Sequence, residues 1–482
     1  MWRSLKKGRK TFSSQAKKTQ KVAINKAKKT HKAAVSKLTT SKETMDFINK
    51  LFNKIIQESA KAINSDIMLK NFMKKNKKLL PLAFRLLHMS YTKSPPIKHF
   101  GNIKSKIDKR SVKYSKWANN IYSSKEKWEK FILGKGTIIR YQTKQHLPGG
   151  FLVPKYSVVE KDGKIIVTFK GTSTGNDALI DLLANTESFT LDKNKYYAHA
   201  GFLRAATMAN SQVGNLIKQK IINKEIKEVI VTGHSLGGGV ADMFGILFFE
   251  SLLKEKISLE NFDGVKIFGY APGTTVTSKI NPPLKDFLKK HSKKCKIVSF
   301  INDQDIVPRL SLENGVILLA VCASITNEIF LNQDNKEIFR EELKKANIYT
   351  ALNTIIQSGK LKDKAVKEIL KTRNRFRGGS TDFWGTIKSI RDKTTERYSS
   401  SKMLNISPPI NTQPIGDLHL FDGQSFFKVK KLDFPIIKKK SFTDHGIDVY
   451  CSALKKHLQF GGKRKTLKRK RKKKKRKTKR NK

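Results

Sequence analysis

Short runs of β-branched residues alternate with longer helical patterns between residues 131 and 310. The runs are "FLVPKYSVV", "KIIVTF", "EVIVTG", "VKIFGYA" and "KIVSFI", and helical patterns cover residues 203–224 and 236–254. Strands that alternate with helices indicate a mainly parallel sheet that is covered by helices on both faces. The sequence therefore predicts an α/β fold for this part of the chain.

The segments on either side of this alternation have other patterns. In residues 41–130 apolar residues recur at a spacing of three and four, which predicts an N-terminal helical region broken by Pro95 and Pro96. Residues 312–410 are helical and loop-like and precede a last strand-like run, "SFFKVKKL". We interpret them as an insertion. The α/β domain then comprises residues 131–311 and 411–457.

Basic residues are concentrated at the two ends of a chain of 482 residues whose formal charge is +61. Lys and Arg supply thirteen of the first forty residues and sixteen of the last twenty. Such segments predict a disordered basic arm over residues 1–40 and a polybasic tail over residues 458–482. An anionic membrane surface, a nucleic acid and a nuclear import receptor are each chemically suitable partners for the tails.

Cysteine usage and hydropathy predict the compartment. Cys295, Cys322 and Cys451 are far apart, which is typical of a reducing compartment without a disulfide framework. The charged start "MWRSLKKGRK" is not followed by an apolar segment, and the apolar stretches at 243–253 and 315–325 are shorter than a membrane span of ~20 residues. We therefore expect an intracellular protein without a secretory signal peptide, cytoplasmic and peripheral to a membrane, or located in a nucleus or virion. No metal or cofactor is expected.

One serine lies between two glycines in "EVIVTGHSLGGGVADMFG", directly after a predicted strand and before a predicted helix. This is the context of a nucleophile elbow, in which Gly233 and Gly237 allow the strand and helix to approach while Ser235 adopts a strained conformation. The N–H of Leu236 would face a developing oxyanion. The alternative is a glycine-rich turn in which Ser235 only caps the helix.

A second strand ends in "TFKGTSTGNDALIDL" and could place another hydrogen-bond donor beside this elbow. The backbone N–H and hydroxyl of Thr172 would be the donors, which would complete an oxyanion hole with Leu236. An amphipathic helix over "ALIDLL" would cover the turn; its alternative is an ordinary surface helix.

A serine nucleophile needs a base, and the base needs an acid that orients it. His445, in "TDHGIDVY", lies on a predicted loop ahead of the last helix, and His419 and His457 are its competitors. Adjacent residues point apart at an elbow, so His234 is expected to pack or to form hydrogen bonds. Asp305 follows a strand in "FINDQDIVPRL", and the order Ser235, Asp305, His445 is that of α/β-hydrolases.

Six motifs, "TFKGTSTGNDALIDL", "HAGF", "VTGHSLGGGVADM", "FGYAPG", "DQDIVPRLS" and "TDHGIDVY", together resemble the class 3 lipases, the fungal-lipase-like α/β-hydrolases. The resemblance is greatest to the diacylglycerol-lipase-like branch. It implies an α/β-hydrolase fold, a catalytic triad of Ser235, Asp305 and His445, and a lid over residues 173 to about 190. Lys170 stands where the family usually has Arg, and Ala178 where an aromatic residue is common. The basic tail also resembles those of proteins from large DNA viruses of protists.

Two classes of function are compatible with these features. The first is a serine esterase that acts on lipid esters, acylglycerols or phospholipids, at an anionic membrane surface. The second is a lipase-like scaffold that binds nucleic acid or membranes through its polybasic tails. An esterase assay with and without Ser235 separates the two.

Overall fold

The central element of the fold is a nine-stranded sheet with five parallel strands in its middle. In this computed structural model the described residues are 52–58, 67–76, 103–104, 108–146, 152–172, 186–277, 284–331, 383–400, 411–421, 426–429 and 443–458, with single positions near 80–91 and at 432 and 441. The parallel strands are β6 (Lys164–Phe169), β9 (Glu228–His234), β10 (Gly264–Tyr270), β12 (Cys295–Asn302) and β14 (Asp417–Phe421).

Antiparallel strands extend this sheet at both edges. They are β1 (Ile103–Lys104) and β15 (Phe426–Val429) at one edge, and β2 (Thr137–Gln142) and β5 (Tyr156–Lys161) at the other. The strand order is β1-β15-β14-β12-β10-β9-β6-β5-β2. All seven residues of β9 are buried, as expected for a strand that is covered on both faces.

Two smaller sheets accompany the large one. Gln145–His146 (β3) pairs with Leu152–Val153 (β4). A four-stranded antiparallel sheet has the order β13-β11-β8-β7. Its strands are β7 (Thr186–Leu191), β8 (Asn194–His199), β11 (Val276–Thr277) and β13 (Thr412–Gln413).

Helices cover the two faces of the large sheet. On one face α5 (Ala200–Ile222) packs against α6 (Leu236–Lys254), which in turn contacts β9 and β10. On the other face α3 (Lys109–Asn120), α4 (Lys125–Ile132) and α10 (residues 447–458) share one apolar cluster with Phe268, Tyr270 and Phe300 of the sheet. The predicted α/β-hydrolase fold, a mainly parallel sheet flanked by helices, is confirmed.

The remaining described helices are α1 (residues 52–58), α2 (Ile67–Asn76), α7 (Leu284–Lys290), α8 (Leu312–Ile325) and α9 (Phe383–Ser400). Helix α8 contacts α2 and α9, and most of its residues are buried. A π-helix, Thr326–Leu331, follows it. Where residues 41–130 and 312–410 are described they are mostly helical, apart from β1 and the turn at residues 121–124.

The α/β fold includes helices from the predicted N-terminal region. Residues 109–130 belong to that region, and Trp117 of α3 and Trp128 of α4 are buried in the cluster on the sheet. These helices therefore form a layer on the large sheet, while the predicted domain bounds stay a prediction. The basic arm over residues 1–40, the tail beyond residue 458 and most of the predicted insertion lie outside the described residues.

Helix α6 is the one helix in the described ranges that is long and apolar enough to cross a bilayer, with a mean hydropathy of 1.5. Within the fold 83% of that apolar window is buried. A helix at the centre of an α/β fold has the same composition, because neighbouring layers surround it. Its apolar character is therefore explained by its place in the core.

Candidate active site

Ser235 occupies a strained turn between β9 and α6. Its φ of 60° and ψ of −127° lie in a region that residues other than glycine rarely adopt. The backbone N–H of Ser235 donates to the Tyr270 carbonyl at 2.9 Å, and the Ser235 carbonyl accepts from Gly238 N–H at 2.9 Å. These bonds hold the strained conformation, as is common at functional sites.

The two glycines that flank this turn are required by close backbone contacts. A Cβ atom at Gly233 would lie 2.1 Å from the Gly237 carbonyl oxygen, and one at Gly237 would lie 2.6 Å from the Phe169 carbonyl oxygen. Real Cβ atoms do not approach backbone atoms so closely. The close approach of strand and helix that the sequence predicted at these glycines is present.

His445 lies between Ser235 and Asp305 and is within hydrogen-bonding distance of both. Its Nε2 atom is 2.9 Å from Ser235 Oγ, and its Nδ1 atom is 3.1 Å from each carboxylate oxygen of Asp305. A carboxylate only accepts hydrogen bonds, so Nδ1 carries the proton and Nε2 is free to accept one from the serine. Ser235 follows β9, Asp305 follows β12, and His445 lies in the loop before α10. All three residues are buried.

Asp305 is fully buried and held by several donors. Tyr450 Oη donates to Oδ2 at 2.6 Å, and the Val307 backbone N–H donates to Oδ1 at 3.0 Å. Burial by itself raises the pKa of Asp305, but the His445 imidazole and the hydrogen bonds from His445, Tyr450 and Val307 outweigh it, so the pKa lies below its usual value. Asp305 therefore stays ionised beside the imidazole.

A buried arginine fixes the loop that carries this aspartate. Arg309 donates to the backbone carbonyls of Asp305 at 2.6 Å and of Asp303 at 2.7 Å. Asp303 has a φ of 36°, which is strained for a residue with a side chain. Arg309 and Tyr450 were not among the predicted site residues, although they lie in the quoted motifs "DQDIVPRLS" and "TDHGIDVY".

The competing histidines pack against aromatic rings. His419, on β14, packs against both Phe300 and Phe426, with ring centroids 5.8 and 5.1 Å away, and burial lowers its pKa to about 4. His457, on α10, lies 6.2 Å from the ring of Phe421. Of the three candidates for the base, the structure brings His445 to Ser235.

His234 forms hydrogen bonds, as expected from its position next to the serine. Its Nε2 atom lies 2.7 Å from the His445 carbonyl oxygen, and its Nδ1 atom lies 2.9 Å from Tyr122 Oη. Burial, with a smaller contribution from His445, lowers the pKa of His234 to about 3. His234 is therefore neutral near pH 7.

The predicted oxyanion residues lie at the same place in the fold. A Cβ atom at Gly171 would lie 3.2 Å from Ser235 Cβ, so the turn after β6 is packed directly against the serine. Thr172 follows it, and within the described part of the chain its buried Oγ1 atom has no hydrogen-bond partner. Leu236 begins α6, where backbone N–H groups lack partners within the helix.

Residues 173–185 of the predicted lid lie outside the described residues. Residues 186–191, which the prediction included in part, form β7. In the segments that the structure describes, no group of three His, Cys, Asp or Glu side chains could hold a metal ion.

Residues 166–315 match the family model of the lipases of class 3. This chain has a class 3 lipase-like fold. The resemblance inferred from the six motifs is confirmed for that segment, which includes Thr172, Ser235 and Asp305 but ends before His445.

Two curated relatives are similar to part of this chain. The lipases of Rhizopus niveus and Rhizopus oryzae are each 29% identical to it over 91 residues, or 19% of this chain. The match spans about a quarter of the length of these relatives, 23%.

Solved structures with a similar fold include a lipase from Rhizopus microsporus var. chinensis, at 21% identity and a TM-score of 0.35, which covers 45% of this chain and 75% of that one. The triacylglyceride lipase of Rhizomucor miehei is 20% identical with a TM-score of 0.32, covering 42% of this chain and 73% of that one.

Proposed function

We propose that this protein hydrolyses carboxylic esters of lipids through an acyl-enzyme on Ser235. The observation that carries the proposal is the unbroken series of hydrogen-bonding distances from Ser235 Oγ through His445 to Asp305. Ser235 also lies at a strained elbow, beside the buried Thr172 hydroxyl, which has no partner among the described residues. Both features support acyl transfer rather than a purely structural role for Ser235.

In the first step Ser235 Oγ attacks the ester carbonyl carbon while His445 Nε2 takes the hydroxyl proton. The carbonyl π electrons move to the oxygen, which becomes an oxyanion. When the oxyanion collapses, the bond to the alcohol breaks and His445 returns its proton to the leaving oxygen. Asp305 stays ionised throughout and stabilises the imidazolium through Nδ1–H.

In the second step a water molecule attacks the acyl carbon of the Ser235 ester. His445 takes a proton from this water and gives it to Ser235 Oγ as the acyl group leaves. The products are an alcohol and a carboxylic acid, and the enzyme returns to its starting state. The backbone N–H groups of Thr172 and Leu236, with the Thr172 hydroxyl, would donate to the oxyanion in both steps.

The class of substrate rests on the family match. The relatives named above are lipases, and the solved structures include triacylglycerol lipases. We therefore propose acylglycerol esters as the first substrates to assay, with phospholipid esters as the second. The reaction itself requires only an ester carbonyl, so the names of these relatives support only the choice of substrate.

Alanine variants of Ser235 and of three histidines test the proposal. We expect Ser235→Ala and His445→Ala to lose several powers of ten in kcat on a soluble short-chain ester, because the triad acts as a unit. His419→Ala and His457→Ala are matched controls and should keep kcat within a few-fold. Equal losses at His419 and His445, with both variants folded, would contradict the assignment of the base.

We also propose that the polybasic tail attaches the enzyme to anionic membranes. Sixteen of its last twenty residues are Lys or Arg, and each basic residue near an anionic surface contributes about 1 kcal/mol. Deleting residues 463–482 should reduce turnover on anionic vesicles at low salt and leave hydrolysis of a soluble ester unchanged. Unchanged turnover on anionic vesicles would instead favour a nucleic-acid or localisation role for the tail.

A further inference from the structure

Tyr122 lies in the turn between α3 and α4 and contacts the candidate active site, although it belongs to none of the six quoted motifs. Its Oη atom is 2.9 Å from His234 Nδ1 and also accepts a hydrogen bond from the Gly171 backbone N–H. A Cβ atom at Gly171 would lie 2.2 Å from this oxygen. The phenol therefore packs between the nucleophile elbow at Ser235 and the turn after β6, Gly171 and Thr172, which we call the oxyanion turn.

The directions of these bonds follow from the chemistry of the partners. The His445 carbonyl can only accept, so His234 Nε2, 2.7 Å away, carries the proton. A neutral imidazole then has an acceptor at Nδ1, which accepts a hydrogen bond from the Tyr122 hydroxyl. The result is one directed series: Gly171 N–H to Tyr122 Oη, Tyr122 O–H to His234 Nδ1, and His234 Nε2–H to the His445 carbonyl.

This series connects the three backbone segments that have to be aligned for acyl transfer. Gly171 precedes Thr172, His234 precedes Ser235, and the last acceptor is the backbone of His445 itself. The turn before α10 is also held by Asn302 Nδ2, which donates to the Asp444 carbonyl at 2.9 Å. The backbone is thus held on each side of the His445 Cα atom, at the carbonyls of Asp444 and His445.

The turn that carries Tyr122 is itself fixed to the sheet. Lys155 Nζ donates to the Ser123 carbonyl at 2.6 Å, and Lys170 Nζ lies 5.5 Å from the centre of the Tyr122 ring. Ile121, the residue before it, is fully buried in the apolar cluster. These contacts fix the position of the Tyr122 hydroxyl.

We propose that Tyr122 and His234 are positioning residues that hold the His445 backbone so that Nε2 stays in line with Ser235 Oγ, and that they couple this alignment to the oxyanion turn. The inference rests on the proposed function. Neither residue exchanges protons with the substrate. Their contribution is to fix the relative positions of the base, the nucleophile and the oxyanion donors.

Tyr122→Phe tests this directly, because it removes one hydroxyl and leaves the ring. We expect kcat on a soluble ester to fall about 10-fold with KM unchanged, as for the loss of one hydrogen bond that aligns reacting groups. Tyr141→Phe is the matched control, since Tyr141 packs on the same apolar cluster, and it should leave kcat and KM unchanged.

A spectroscopic measurement separates positioning from a general loss of stability. The proton on His445 Nδ1 that faces Asp305 should give a low-field NMR resonance, assigned by its loss in His445→Ala. We expect this resonance to shift or broaden in Tyr122→Phe and to be unchanged in Tyr141→Phe. A structural effect alone would lower the melting temperature without moving the resonance.

Substitutions at His234 provide a second variant if Tyr122→Phe does not fold. His234→Gln keeps a donor for the His445 carbonyl and should retain more kcat than His234→Leu, which has none. Wild-type kcat and an unmoved resonance in Tyr122→Phe, or equal kcat in the two His234 variants, would overturn the inference. Full turnover by Ser235→Ala would overturn the proposed function instead, so the two failures are distinguishable.

Discussion

The two ends of strand β9 both bury polar groups, but they hold them in opposite ways. At the amino end Glu228 is almost fully buried, and its carboxylate meets Lys164 and Lys266, with Arg110 at 3.5 Å. At the carboxyl end Ser235 is strained, and the hydroxyl of the nearby Thr172 has no partner within the described segments. Glu228 therefore has three cationic partners, whereas the Thr172 hydroxyl has none within the described segments.

This difference separates a region that stabilises the fold, at the amino end of β9, from the region proposed to carry out catalysis, at its carboxyl end. The cations around Glu228 hold its pKa below the usual value even though burial alone raises it. A buried donor without a partner costs stability and is retained where a ligand or transition state supplies the acceptor. Variants at the two ends should therefore change different quantities: kcat at the carboxyl end and the free energy of unfolding at the amino end.

The largest expected effect is at the carboxyl end, from Asp305→Asn. The amide cannot stabilise the imidazolium and favours the wrong tautomer of His445, so kcat should fall about 10⁴-fold. Asp417→Asn is a matched control, because Asp417 pairs with Lys428 near the surface. If steady-state kinetics show similar kcat for the two variants, the acid has been assigned to the wrong residue.

Thr172→Val keeps the shape of the side chain and removes the hydroxyl at the oxyanion turn. We expect kcat to fall roughly 10- to 1000-fold with little change in KM, since the lost bond forms only in the transition state. Thr172→Ser should recover most of this loss. A rise in KM with an unchanged kcat would show that the hydroxyl binds the substrate in its ground state.

At the amino end Glu228→Gln should lower stability and leave catalysis unchanged. The three cations would lose their shared counter-charge, and we expect the free energy of unfolding to fall by about 1–3 kcal/mol. Denaturant titration measures this, and high salt should reduce the difference because the cations are partly exposed. A ten-fold loss of kcat in a folded variant would contradict the separation between the two ends.

The smallest expected effect concerns Asp242, on α6 below the elbow. It is fully buried, and burial raises its pKa well above the usual value, outweighing the opposite effect of Thr275. The unfolded chain releases this proton near pH 4, whereas the folded protein keeps it. Folding stability from this group is therefore present below that pH and declines as pH rises.

Asp242→Asn removes this titration with little change of shape. The melting temperature of the wild-type protein, relative to that of the variant, should decrease from pH 5 to pH 8. Calorimetry at several pH values measures the difference. A constant difference across this range would show that the carboxyl ionises normally in the folded state.

The local parts of the site could be predicted from the sequence because each depends on neighbours in the chain. The elbow needs a strand, a Gly-Xaa-Ser-Xaa-Gly turn and a helix, and all three are contiguous around Ser235. Asp305 and Thr172 also lie shortly after strands, β12 and β6, whose apolar runs are distinctive. His445 depended on the order of residues and on the loop ahead of the last helix.

Other elements could not be predicted because their signals are weak or distant. Strand β7, "TESFTL", is buried only at its two ends and lies mostly in the segment interpreted as a lid. Strand β14 has only five residues, and no strand was predicted at residues 417–421. Tyr122 is 112 residues from His234, and no local pattern shows that the phenol reaches the elbow. Such contacts follow from tertiary packing rather than from sequence periodicity.

The central claim is that Ser235 is the nucleophile, and covalent labelling tests it most directly. A fluorophosphonate reacts with an activated serine and stays attached, so mass spectrometry of the digested protein identifies the labelled residue. We predict one adduct per chain, on the peptide that contains Ser235, with no labelling of Ser235→Ala and slow labelling of His445→Ala. An adduct on another residue, or undiminished labelling of Ser235→Ala, would contradict the account.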